Sequence, residues 1–258
     1  MTSRALGKLF DAWCETATIS ASGGGADILT EKRGGRKRVS KRLLRLLREQ
    51  YDDPKRVAAR IKRMGYEKAA ANMAVRMPSS STARSGDVGE ILAANITQAR
   101  LNFLVPVARL RWKDGRNTAL RGDDVIGMRV DGTSLVALLK GESKSRKALA
   151  VAAINDACKA LKRDDGKPSP HSLVYLADRL HDIGRDDLAE LLEDYQAVTQ
   201  RNVSLHHLVF TVSGNVPNKL FRGALSSPYD KKISRVMIGL VIADHKIFIS
   251  NLFTAAGA

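Results

Sequence analysis

The chain reads as a mixed α/β fold with helical cover, and three observations predict it. Strand-length apolar runs, at 125–130, 134–140 and 205–212, are interleaved with segments of helical period, at 147–161 and 173–199. Asp131-Gly132 falls between the first two runs and signals an antiparallel hairpin. At 258 residues and 44% hydrophobic content the chain is long enough for a substantial core, as one domain or as a domain with an extension.

Charge narrows the partner. The formal net charge is +16 and the isoelectric point about 10.1, more basic than solubility requires. Such a balance favours a polyanion, most simply nucleic acid, with an anionic membrane surface as the competitor. There is neither an apolar run of roughly 18 residues nor a signal-peptide core, so no membrane insertion is expected. Cys14 and Cys158 stand far apart and unaccompanied. They suggest a reducing, cytoplasmic setting and no disulfide or zinc framework. Adjacent His206 and His207 would face opposite sides of a strand, and with His245 they read as packing or surface residues. Without a P-loop or a GxGxxG turn, intrinsic ATPase chemistry is not expected.

Taken in order, residues 1–77 are expected to form a basic helical region and 78–258 the main domain. Residues 1–85 hold 19 Lys and Arg against 8 Asp and Glu, a net +11 of the +16. Leu6, Leu9, Phe10 and Trp13 would line one face of a first helix, with 20–25 as a Gly-rich loop. Val39, Leu43, Leu46 and Leu47 mark a second helix, and Asp53-Pro54 opens a third that Gly65 ends. A short helix covers 66–75. Pro78-Ser79-Ser80-Ser81-Thr82 is the boundary. A helix capped by Ser85 or Asp87 would then carry Glu90 in its first turns. Residues 101–112 alternate as a strand. After the 147–161 helix, two more are expected at 173–183 and 186–199. The strand at 205–212 precedes a long loop over 214–229 and a terminal hairpin of 235–243 with 246–253.

The chemistry concentrates where the second apolar run ends in Gly141-Glu142-Ser143-Lys144. Strand side chains alternate, so Glu142 and Lys144 share one side. A carboxylate and an ammonium so placed suit metal-dependent phosphodiester cleavage, in which the carboxylate holds a divalent cation and the ammonium orients the attacking water. The bland alternative is an ordinary charged strand end. Asp123-Asp124 open the first strand of the hairpin. A tight turn at Asp131-Gly132 would leave Asp124 about 10 Å short of Glu142, so the chemistry requires a longer loop or a bulge. Asp124 is the preferred acid and Asp123 the alternative. Glu90 reads either as a first-turn acid complementing the helix dipole or as a third acid reaching the site.

Glu90 on a helix, Asp124 on a strand, Glu142-x-Lys144 on the next strand and then an Ala-rich helix form an order that resembles the PD-(D/E)XK nuclease superfamily. The stretches RSGDVGEILA, RGDDVIG and GESKS resemble more specifically the HamA family, the nuclease subunits of Hachiman anti-phage defence systems. The resemblance covers about residues 75–255. It implies a restriction-endonuclease-like mixed sheet and a divalent-metal-dependent DNA nuclease. In that reading Asp124 and Glu142 hold Mg²⁺ or Mn²⁺, Glu90 supports a second metal or a water, and Lys144 positions the nucleophile. Arg84, Arg146 and Lys147 are the candidate phosphate contacts. A helicase subunit that restrains cleavage is the implied partner. The rival functions are a repair or Holliday-junction nuclease and a non-catalytic basic adaptor.

Overall fold

The computed structural model describes residues 3–21, 24–197 and 202–257. The N-terminal segment runs α1 (Ser3–Trp13), β1 (Cys14–Ala21), β2 (Gly24–Glu31), α2 (Gly35–Tyr51), α3 (Pro54–Met64) and α4 (Tyr66–Arg76). The middle holds α5 (Ser81–Arg100), β3 (Val125–Asp131), β4 (Ser134–Arg146) and α6 (Val151–Leu161). The remainder is α7 (Pro170–Asp182), α8 (Asp186–Gln196), β5 (Ser204–Ser213), α9 (Asn218–Leu225), β6 (Ile233–Val241) and α10 (His245–Gly257).

The six strands form one mixed sheet in the order β1-β2-β6-β5-β4-β3. The end pairs β1/β2 and β3/β4 are antiparallel, and β2, β6, β5 and β4 run parallel to one another. Central β5 and β6 are apolar and buried on both faces, as strands covered by helices must be. On one face Leu139, Phe210 and Ile238 pack with the apolar sides of α1, α2, α5 and α10. On the other, Ile126, Met128 and Leu138 meet the leucines of α7 and α8. There too, Val209 and Met237 lie with Ile154 of α6 and Phe221 of α9.

Several expectations are corrected. The segment 1–77 is not wholly helical: it supplies β1 and β2, and β2 pairs directly with β6. Its Leu9, Phe10, Trp13, Leu43 and Leu47 share a core with α5 and α10, so it is built into the sheet layer. The side chain of Leu6, and residues 22 and 23 of the expected loop, lie outside the described residues. Residues 24–25 already belong to β2. A strand at 101–112 reduces to one bridge, Leu104 with Met128, and a 3₁₀ turn at Arg109–Trp112. Pro106 cannot donate to a ladder, and Asn102 turns the chain with a left-handed φ of 54°. The loop 214–229 contains α9, whose Phe221 and Leu225 are buried at helical spacing. The terminal hairpin is instead β6 followed by α10. Buried Phe248, Ile249, Phe253 and Ala256 recur with a helical period that β-branched and aromatic residues disguise. The end expected for α8 at Thr199 lies outside the described residues.

Candidate active site

Two glycine-dependent approaches and one bulge bring the predicted acids together. The hairpin turns tightly, pairing Asp131 with Ser134 and Val130 with Leu135, and Gly132 adopts φ 56°. The register then shifts between Arg129 and Val130, leaving Val136 as the extra residue, so that Val125 faces Gly141. The turn falls at Gly132-Thr133 rather than at Asp131-Gly132, which carries Asp124 two residues along β4, and the bulge adds the third that brings it level with Glu142. Asp124, one residue before β3, accepts a hydrogen bond from the Ser143 N–H at 2.8 Å, between Glu142 and Lys144.

Helix α5 reaches the same strand end through Gly89. A Cβ there would lie 3.1 Å from Ser143 Oγ and 3.3 Å from Ser145 Cβ, so only glycine lets helix and strand touch without displacement. Glu90 follows. Contrary to expectation it is not in the first turn. The helix begins at Ser81, with Ser80 Oγ accepting from the Ala83 N–H as its cap. Asp87 is no cap either. It is buried, accepting from Tyr51 Oη at 2.6 Å and from Lys113 Nζ at 2.8 Å.

The doubled acid divides by direction. Asp123 takes the Ser169 N–H at 2.7 Å and lies 3.4 Å from the buried Lys140 ammonium. Its own N–H donates to Ser172 Oγ, so it ties the start of α7 to β4. Asp124 is the acid at the strand end.

Lys144 Nζ donates to Glu142 Oε1 at 2.6 Å, and both side chains are more than four-fifths buried. Arg109, which the residue pattern did not single out, lies 3.9 Å from Glu90 and donates to the carbonyls of Asp123, Asp124 and Arg121. Glu90, Arg109, Asp124 and Tyr175 line a narrow cavity between α5 and α7. Burial, and then the Asp124 charge, push the Glu90 carboxyl up to about 8. Burial and the Asp124 charge likewise raise Glu142, and burial raises Asp124 against the pull of the Ser143 N–H, Lys144 and Arg109. Asp124 is thus the shared neighbour of Glu90 on one side and Glu142 on the other.

The expected phosphate contacts lie elsewhere. Arg84, Arg146 and Lys147 line a second cleft at the carboxyl end of β4, with residues of α10. Signals for Arg109, Tyr51 and Lys113 are missing from the local sequence, because each reaches its partner across tertiary contacts.

Among the described residues, no group of three or more His, Cys, Asp and Glu side chains stands ready to hold a metal ion by itself. The donor set is instead sparse: two carboxylates flanking a strand end, both with raised pKa. Crowded, desolvated carboxyls of this kind fit a hard cation that keeps part of its water shell.

Fold and site together define an α/β protein with a buried carboxylate and lysine cluster at the junction of a helix and a β-hairpin. The HamA family model matches residues 8–256, and the chain belongs to the HamA family. It is 27% identical over 180 residues to the Hachiman protein HamA of Bacillus cereus, an alignment covering 69% of this chain and 63% of that protein. The match thus spans less than two thirds of that relative's length.

Proposed function

We propose that this protein is a divalent-metal-dependent DNA nuclease of the PD-(D/E)XK type, the effector of a Hachiman anti-phage system. The observation that carries the reading is the placement of Asp124 against the Ser143 N–H, between Glu142 with its Lys144 partner and Glu90. The order α5, β3, β4, α6 agrees with it, as does a basic chain suited to a polyanion.

Asp124 and Glu142 would hold Mg²⁺ or Mn²⁺, which when bound neutralises charge on the scissile phosphate and lowers the pKa of water. The Ser143 N–H fixes one oxygen of the Asp124 carboxylate at the strand end. Lys144, tethered to Glu142, is placed to orient the attacking water. Arg109 counters the Glu90 charge and clamps the backbone of Asp124, so the cluster is preorganised. Family membership supports a role in Hachiman defence, and a helicase subunit is the proposed partner that restrains cutting. Among the described residues no helix is long and apolar enough to cross a membrane.

The test is cleavage of plasmid and linear DNA in Mg²⁺, with and without the helicase subunit. Glu142→Ala with Lys144→Ala should abolish cutting while the melting temperature stays near that of the parent. Loss of metal stabilisation is worth several kcal/mol, about a thousandfold or more in rate. Cleavage at the parent rate by the double variant would place the chemistry elsewhere. A parent chain that binds DNA but never cuts, even with the helicase, would leave a non-catalytic adaptor.

A further inference from the structure

Outside the carboxyl end of β4, one of the parallel strands, lies a second cavity of about 470 Å³, floored by Ser145 and walled by the first turns of α5 and α10. This is where ligands collect in open α/β sheets. Arg84, Arg146, Lys147 and Lys246 line it, and no lining residue is acidic. Arg84 Nε is held by the Pro78 carbonyl at 2.9 Å and its guanidinium lies over Phe253, so that arm is fixed. The Lys147 carbonyl accepts from the Gly214 N–H at 3.1 Å, which fixes the backbone that carries the second.

At the first residue of α10, His245 is only 3% exposed and its ring lines the cavity. Ser85 Oγ donates to Ser145 Oγ at 2.9 Å, and Ser145 Oγ in turn contacts His245 Nε2 at 2.9 Å. A hydroxyl has two acceptor lone pairs beside its one proton, so either tautomer of the neutral ring fits this contact, and the other ring nitrogen is Nδ1. That buried Nδ1 has no hydrogen-bond partner. A polar atom buried without a partner is costly, and in the Nδ1–H tautomer an anion that reached the ring would relieve that cost. The helix terminus beside it favours negative charge.

We infer that this cavity is a phosphate-binding subsite, holding a backbone phosphate of the nucleic-acid strand that runs past the Glu142 end of β4. The strand direction rests on the nuclease reading; the phosphate pocket itself does not. Arg146 shares the side of Glu142 by alternation and lies about 13 Å further along the strand. A phosphate in the pocket therefore sits beyond the reacting one and registers the strand.

The experiment uses the full chain in EDTA, so that cleavage plays no part. Two probes are applied: inorganic phosphate, read as a rise in melting temperature, and a fluorescein-labelled 15-nucleotide single strand, read by anisotropy across salt. Lys147→Gln with Lys246→Gln changes exposed side chains and keeps the fold; His245→Gln tests the buried ring nitrogen. Both variants should lose the phosphate-induced rise. The lysine pair should bind the strand about tenfold more weakly, with the salt slope lowered by about 0.7 for the one phosphate lost. Parent-like behaviour of the lysine pair with both probes overturns the inference. Phosphate binding that is lost without any change for the single strand makes this a free-anion site and also overturns it. Should the pocket variants fail in binding while the parent cuts no nucleic acid in Mg²⁺, the pocket stands and the nuclease reading falls. Should the parent cut normally and the variants bind normally, the reverse holds.

Discussion

Single side chains set the electrostatic character of the site. Glu90 is raised from 4.5 to about 8 by burial and by the Asp124 charge. A carboxyl with a raised folded pKa binds an extra proton in the folded state between those values. Stability without divalent metal therefore falls as pH rises from about 4.5 through about 8, by up to about 1.4 kcal/mol per pH unit for one proton. In EDTA the melting temperature should drop across this window, and Glu90→Gln should flatten part of the drop. Saturating Mg²⁺ should raise the parent most at the alkaline end, where the carboxylates are charged. A pH profile identical in the parent and in Glu90→Gln would show that Glu90 is not strained by its neighbours. Asp123 has a different task. Its hydrogen bonds and the buried Lys140 beside it make it a structural anchor, although by type and position it is the twin of Asp124.

At the scale of elements, the site is the meeting of α5 with the β3–β4 hairpin, and Gly89 sets their distance. Gly89→Leu would drive side-chain atoms into Ser143 and Ser145. Overpacking of this kind costs about 1–3 kcal/mol. Because the displaced residue is next to Glu90, cleavage should fall far more than the drop in melting temperature implies. Gly89→Ala, whose single carbon needs neighbours to yield only a few tenths of an ångström, should sit between parent and Gly89→Leu in both readouts. Equal activity in all three would mean that helix placement is irrelevant to the chemistry. The bulge at Val136 plays the matching role in the hairpin, moving Asp124 level with Glu142.

For the whole molecule, the basic N-terminal segment is both core and surface. Leu29, Phe10 and Trp13 are fully buried, and β2 continues the sheet from β6, so removal of the segment would strip strands from the fold. Some of its charge is committed internally: Arg36 is paired with Glu31 and Asp244, Arg60 with Asp52, and Arg48 donates to carbonyls at the end of α10. Others, including Lys37, Lys41, Lys55 and Lys62, are exposed along α2 and α3. Changing these four to Gln should leave the melting temperature within a few degrees, since each exposed substitution shifts stability by only about ±0.5 kcal/mol. The salt slope on duplex DNA should fall by up to about 0.9 per phosphate released. An unchanged slope would put the salt-sensitive contacts on the cleft at the end of β4 instead.

The sequence by itself determined the α/β class, a hairpin between the two apolar runs and the helices of the middle third, and it singled out Glu90, Glu142, Lys144 and the Asp123-Asp124 pair as candidates. Periodicity and turn chemistry are local, and an acid beside a strand end is visible in one dimension. What only the tertiary structure decided was everything set by contact across the chain. The first strands carry polar and small residues, and the pairing of β2 with β6 from the far end of the chain leaves no local trace. Residues 246–253 carry strand-forming side chains, yet burial of one face against α2 and α5 makes them a helix. Asp123 and Asp124 are equivalent on paper. Hydrogen bonds from Ser169 on one side and Ser143 on the other separate anchor from candidate ligand, because direction in space is a property of the fold and not of the residue.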